Sequence, residues 1–247
     1  MGFLALLYGL AAYLAFLAAF AYLVVFVGDL GAPRSVSLGP AAAPGAALAV
    51  DLGLLALFAL QHSVMARPAF KRAWTRLVPP EAERSTYVLA SSLALGLLYW
   101  SWRPLPGVVW EVRAPALRLG LLALFWAGVA LALASTFLVS HAGLFGLGQA
   151  WARFRGRPYR EPPFRLTALY ARVRHPLMLG FLVVLWAAPT LTFSRLLFAV
   201  GMTAYIVAGT WFEERDLLRS LGRDYAAYRR AVPRFFPLPG RRANKQP

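Results

Sequence analysis

The stretch LALLYGLAAYLAFLAAFAYLVVFV, Leu4–Val27, contains neither a charged residue nor a proline. A helix needs roughly 20 consecutive apolar residues to cross the ~30 Å hydrocarbon core of a bilayer, and this run is long enough. Five further apolar segments follow, near residues 46–65, 86–102, 116–140, 177–193 and 196–212. The expected fold is therefore all-α: a polytopic integral membrane protein of about six transmembrane helices, with a C-terminal helical hairpin. The first run has no basic residues before it and outlasts the roughly 7–15 apolar residues of a signal peptide, so it is read as a retained helix. Composition agrees, since 60% hydrophobic and 15% charged residues do not describe an ordinary water-soluble domain.

The formal net charge of +16 has a membrane explanation. In a six-crossing arrangement only Arg34, Arg103, Arg113, Arg118 and Arg195, of 26 Lys and Arg, fall on one side. By the positive-inside rule both termini are then cytoplasmic, and a bacterial inner membrane is the expected location. The basic segments 67–84 and 153–174 and the tail from Arg215 lie where anionic headgroups attract them, making membrane lipids the expected partners. No nucleic-acid reading module accompanies these charges, so nucleic acid is not expected as a partner, nor is an obligate protein. The absence of cysteine removes disulfides, thiolate metal sites and a thiol nucleophile, and no metal site is expected. No long linker interrupts the chain, which reads as a single domain over 1–247, with N-terminal helices in 1–140 and a functional-looking half in 141–247.

Polar residues cluster in a few places. Arg174-His175-Pro176-Leu177-Met178-Leu179-Gly180 precedes the C-terminal apolar pair, Glu213-Glu214 follows it, and Gly222-Arg223-Asp224-Tyr225 and Tyr228 lead to Val232-Pro233. Pro176 suits the first turn of a helix, whose unpaired amides can receive an anionic or polar group. Glu213 and Glu214 are costly at membrane depth and point about 100° apart on a helix, so one can face a ligand while the other pairs with a basic residue. Gly222 to Tyr228 reads as an amphipathic surface helix ending at the proline. A second cluster, from Gln61-His62-Ser63 through Arg67-Pro68 and Trp74 to Glu83-Arg84-Ser85-Thr86-Tyr87, is unusually polar for a short connection. The loop 28–45 is rich in Gly, Ala and Pro and is expected to carry little chemistry. His62 and His141 each close an apolar helix and leave open a haem- or metal-binding reading, in which the chain would serve as an assembly factor for a respiratory complex. There is no H-E-x-x-H, Walker loop or G-x-S-x-G.

The C-terminal residues resemble the integral-membrane methyltransferases related to isoprenylcysteine carboxyl methyltransferase, with their R-H-P-x-Y-x-G, E-E, G-x-x-Y-x-x-Y and V-P pattern. Over nearly the whole chain the likeness is closer still to the bacterial methanethiol S-methyltransferases, through Gln61–Pro68, Glu83–Val88, Gly143–Leu147, Arg157–Tyr159 and Pro162–Arg165. The resemblance implies an S-adenosylmethionine pocket at the cytoplasmic face, bound by Tyr170, His175, Pro176, Leu177, Met178 and Glu213 and closed by Pro163, Phe164 and Arg165. Met178 stands where the pattern has tyrosine, replacing a ring contact with a thioether. Gly209 stands where the prenylcysteine enzymes carry a substrate-binding arginine, which suits a small neutral thiol.

The implied reaction is methyl transfer from S-adenosylmethionine to methanethiol, giving dimethyl sulfide. The segment 62–87 is the expected substrate side: either Arg67, Arg76 or Arg84 would supply a positive field favouring thiolate, or His62 would instead accept the proton, directly or through water. A larger lipophilic thiol, carboxylate or amine acceptor remains an alternative.

Overall fold

The computed structural model describes residues 2–161 and 169–237. In chain order the elements are α1 (Gly2–Gly28), α2 (Pro44–Ala66), α3 (Pro68–Trp74), α4 (Pro80–Ser101), β1 (Val108–Glu111), α5 (Pro115–Val139), α6 (His141–Leu144), α7 (Leu147–Phe154), α8 (Pro176–Trp186), β2 (Thr190–Thr192) and α9 (Phe193–Ala231). They form two compact units. The first comprises Met1–Trp110, Ser140–Pro162 and Thr190–Phe198, and the second Glu111–Val139, Pro163–Pro189 and Ala199–Pro247.

Helix starts follow from proline placement. α2, α3, α4, α5 and α8 each open on a proline, whose fixed φ suits a first turn and whose missing N–H would have gone unpaired there. Among the described residues α1, α2, α5 and α9 are long and apolar enough to cross a membrane, and the chain is a helical integral membrane protein. Leu4, Leu7, Leu10, Leu14 and Leu17 of α1 are all at least 38% exposed, a leucine surface that suits lipid rather than water.

The expected crossings at 86–102 and 177–193 are helical but differ in kind. α4 opens on Glu81, Glu83 and Arg84. α8 has only 11 residues, about 16 Å at 1.5 Å per residue, or half the hydrocarbon thickness. It ends at Trp186 because Pro189 steers the preceding residues away from helical geometry. Thr190–Thr192 then pairs with Val108–Glu111 in a two-stranded ribbon, a β element in a chain read as wholly helical.

Unit 1 packs α1 against α4 and α7, and α4 against α2. Its aromatic core gathers Phe26, Tyr99, Trp102 and Phe198, with Trp102 edge-on to Phe26 and Phe198 at 6.1 and 5.5 Å. The buried Trp102 indole N–H is shared between the Val36 carbonyl (3.1 Å) and Ser194 Oγ (2.9 Å). The loop after α1 is therefore tied down, and Asp29 adds to this by accepting from the hydroxyls of Ser35 and Ser37. The polar segment after α5 begins with two short helices: Ser140 caps α6 by accepting the Gly143 N–H, and Gly146, at φ 85°, turns the chain into α7.

Unit 2 is built on a close contact of α5 with α8. A Cβ on Gly180 would stand 2.6 Å from the Ala132 backbone nitrogen and 2.8 Å from the Gly128 carbonyl oxygen. Gly128 and Ala132 are one turn apart, the small-xxx-small spacing that lets two helix backbones touch in a membrane. Gly180→Val should therefore push α8 away from α5 and cost about 1–3 kcal/mol by overpacking. Thermal unfolding in detergent checks this, with Gly209→Val as the control, since nothing lies within 4 Å of a Cβ there.

Candidate active site

In unit 2 three stretches converge: the residues before α8, the acidic pair of α9, and the chain after α9. Pro233 follows the last helical residues and cannot continue them. The emerging segment runs beside Arg174 and His175, whose backbone N–H groups donate to the carbonyls of Pro233 (3.0 Å) and Arg234 (3.1 Å). Arg174 reinforces this clasp by donating from Nη1 to the carbonyls of Arg229 and Val232, at 2.6 and 2.8 Å.

Glu214 lies at the centre and is 2% exposed. Its Oε1 accepts from Arg174 Nε at 2.8 Å and His175 Nε2 at 3.1 Å, and its Oε2 accepts from Arg234 Nη2 at 3.0 Å. A buried carboxylate is tolerable only with such partners. Glu213, a helical step away, is 52% exposed, with Oε2 3.7 Å from His175 Nδ1. The acidic pair thus divides as the helix geometry requires, with one carboxylate neutralised inside and one presented outward.

The other expected cofactor residues surround this pair. His175 and Pro176 are buried, and Leu177 and Met178 are half-buried in the first turn of α8. The Leu179 N–H already bonds the His175 carbonyl, so Leu177 and Met178 carry the first-turn amides that helix geometry leaves without an intrahelical acceptor. The Tyr170 carbonyl accepts from the Tyr228 hydroxyl at 2.7 Å. Burial, and secondarily the Glu213 charge, push the Tyr170 phenol up to about 12, so it stays neutral at physiological pH. Pro163, Phe164 and Arg165 lie outside the described residues. Arg174, Glu214, Arg234 and Tyr228 were not among the expected site residues, although all lie in or beside the quoted motifs.

The second cluster belongs to unit 1. His62 of α2 is bracketed by two residues of α4: its Nε2 lies 2.6 Å from the Tyr87 hydroxyl and its Nδ1 3.0 Å from Ser91 Oγ. Gln61 also donates to Ser91, at 3.3 Å. The Arg84 guanidinium lies 5.5 Å from the Tyr87 ring centre, and Arg67 Nε donates to the Ser63 carbonyl at 3.3 Å, fastening the end of α2. The structure thus brings together His62 and Arg84 through Tyr87, a residue the sequence reading left without a role. Its signal is the Tyr87/Ser91 spacing of four, which puts both on one helix face.

His141 has a different setting, its Nε2 lying 2.8 Å from the Tyr13 hydroxyl and its ring edge-on to Tyr13. His62 and His141 therefore pair with different tyrosines. Among the described residues no group of three or more His, Cys, Asp or Glu could hold a metal ion.

Removing the central carboxylate should be costly. Glu214→Ala leaves Arg174, 9% exposed, without its anion, and a broken buried pair typically costs about 3–5 kcal/mol. Glu213→Ala, at a half-exposed position, should change stability by less than about 0.5 kcal/mol. Denaturation of the two variants side by side in detergent would separate the structural carboxylate from the presented one.

The NnrU protein family matches residues 52–235. Methanethiol S-methyltransferase of Mycobacterium tuberculosis is 55% identical, over 97% of this chain and 98% of its own length. Methanethiol S-methyltransferase 2 of Bradyrhizobium diazoefficiens is 49% identical, over 94% of this chain and 89% of its own length. Human nurim is 38% identical over 70% of this chain and 68% of its own length. No solved structure matches. With one family covering most of the sequence and relatives aligned nearly end to end, the chain belongs to the NnrU family and, within it, to the methanethiol S-methyltransferases.

Proposed function

We propose that this protein is an S-adenosylmethionine-dependent thiol S-methyltransferase that converts methanethiol to dimethyl sulfide at the cytoplasmic membrane face. The observation that carries the cofactor assignment is the division of the acidic pair. Glu214 is satisfied by Arg174, His175 and Arg234, while Glu213 presents a carboxylate beside His175 and the first turn of α8. S-adenosylmethionine carries an ammonium, a sulfonium, a carboxylate and ribose hydroxyls. Glu213 suits its cationic or hydroxyl groups, the Leu177 and Met178 amides suit its carboxylate, and the neutral Tyr170 phenol and Met178 thioether offer a polar and an apolar contact. Pro163, Phe164 and Arg165 belong to the same proposed pocket.

When bound, the cofactor supplies an electrophilic methyl group on sulfonium sulfur. The protein's part is to exclude water and hold the thiol in line, which raises the rate through proximity and reduced solvation of the nucleophile. No covalent enzyme intermediate is required. His62, Arg67 and Arg84 form the proposed thiol side, with cationic groups favouring thiolate. The rest of the reading is a single functional domain of about six membrane helices, the short α8 forming a hairpin with α9, with both termini cytoplasmic in a bacterial inner membrane. Its proposed partners are the small thiol substrate and membrane lipids, rather than nucleic acid or an obligate protein.

The relatives' shared name supports methanethiol as acceptor. Purified protein given S-adenosylmethionine and methanethiol should release dimethyl sulfide into the headspace, and a parallel prenylcysteine reaction should give no methyl ester. Cofactor turnover only with a larger acceptor would overturn the methanethiol assignment. Glu213→Ala should weaken S-adenosylmethionine binding about tenfold, roughly 1.4 kcal/mol, with little change in thiol KM. An unaltered cofactor titration would remove Glu213 from the pocket.

A further inference from the structure

A thiol must lose its proton before it attacks, and the hydrogen bonds around His62 define where that proton goes. Ser91 Oγ–H donates to the Tyr87 carbonyl at 2.9 Å. Its oxygen is thereby an acceptor for its two other neighbours, Gln61 Nε2 at 3.3 Å and His62 Nδ1 at 3.0 Å. The proton of neutral His62 therefore sits on Nδ1. Nε2 carries the lone pair and takes the Tyr87 O–H at 2.6 Å. Phe58, one turn earlier on α2, packs 5.3 Å from the imidazole and helps fix its plane. The chain of donors runs one way: Tyr87 to His62, His62 to Ser91, Ser91 to the backbone.

This order leaves both ring nitrogens of His62 bonded, so a proton reaches Nε2 through the phenolic oxygen of Tyr87, a group that can accept one hydrogen while donating its own. We infer that Tyr87 takes the proton of the thiol substrate while passing its own to His62, an inference that rests on the thiol methyltransferase reading above. In this step the S–H bond breaks and an O–H bond forms at Tyr87. The original Tyr87 O–H bond breaks and an N–H bond forms at His62 Nε2. Sulfur keeps the electron pair as thiolate, and His62 becomes an imidazolium donating to Ser91 from Nδ1 and to Tyr87 from Nε2. After methyl transfer the proton leaves for water by the reverse route.

Among the described residues Arg84, on the same helix as Tyr87, holds its guanidinium 5.5 Å from the ring centre. Its charge favours thiolate and so assists the loss of the thiol proton. Tyr87 is the group that contacts substrate. His62 and Ser91 act through it as positioning and proton-holding residues.

The test compares two thiols that differ in acidity: methanethiol, largely protonated at neutral pH, and an arenethiol, largely ionised. Tyr87→Phe and His62→Gln should each lose about 10²-fold or more in kcat/KM with methanethiol, and less than about threefold with the arenethiol. Their methanethiol rates should climb with pH as the free thiol ionises, approaching wild type. Ser91→Ala frees the Nδ1 proton to move between ring nitrogens and should fall in between. Equal losses with both thiols, or variant and wild-type pH profiles of one shape, would overturn the relay and leave a structural role. Wild-type protein inactive with both thiols would fail the thiol-transfer reading itself, a result distinct from loss of the relay.

Discussion

One buried carboxylate organises unit 2. Glu214 bonds an arginine and a histidine that precede α8 and a second arginine that follows α9. Without these partners an anion in the interior would be prohibitively unfavourable, and without the anion two guanidinium groups would repel one another. The arrangement therefore forms as a whole. Because Arg174 also bonds two carbonyls of the chain end, the same group that neutralises Glu214 fixes the backbone path of the C-terminal segment. His175 inherits its orientation from this clasp, and Glu213 is presented outward because its neighbour is held inward.

Unit 1 solves a different problem. Near the end of α2, Tyr87, His62 and Ser91 bond one another in a directed series, and each hydroxyl or ring nitrogen has its donor or acceptor role set by the next. Tyr87 and Ser91 can both reach His62 because they lie one turn apart on α4, and α4 packs against α2. The tight helix contacts of this unit rest on absent side chains as well. A Cβ on Gly9 would meet that of Ala150 at 2.6 Å, which brings α7 close against α1.

Much of this was legible in the sequence. Lipid sets a length requirement, so uncharged runs such as Leu4–Val27 announce helices without further argument. Pro176 marked the start of α8, and Gly222 opened the stretch read as a surface helix, at the point where α9 breaks with φ 56°. The adjacency of Glu213 and Glu214 said that they must face different ways. Which of them would be buried could not be read, because that depends on Arg174, 40 residues away. The ribbon of Thr190–Thr192 was hidden because a run of a few residues has no resolvable period. The ordering of the loop after α1 rests on Asp29 and on Trp102 from the far end of α4, contacts that composition cannot reveal. Tyr87 stood in a quoted motif, but its role needed the pairing of two helices.

The clasp between the start of α8 and the chain end also sets an order of events during synthesis. Arg174 emerges from the ribosome 58 residues before Val232, whose carbonyl it binds, and the strongly apolar part of α9 must enter the bilayer in between. Domains tend to assemble as their chain appears, N-terminal parts first. Unit 2 cannot follow that course until α9 is complete, because its hub gains Arg234 only after the whole of that helix has been made. A nascent chain stalled late in α9 would hold the helices and the acidic pair yet leave Glu214 short of its second arginine, so the buried carboxylate is completed late and abruptly.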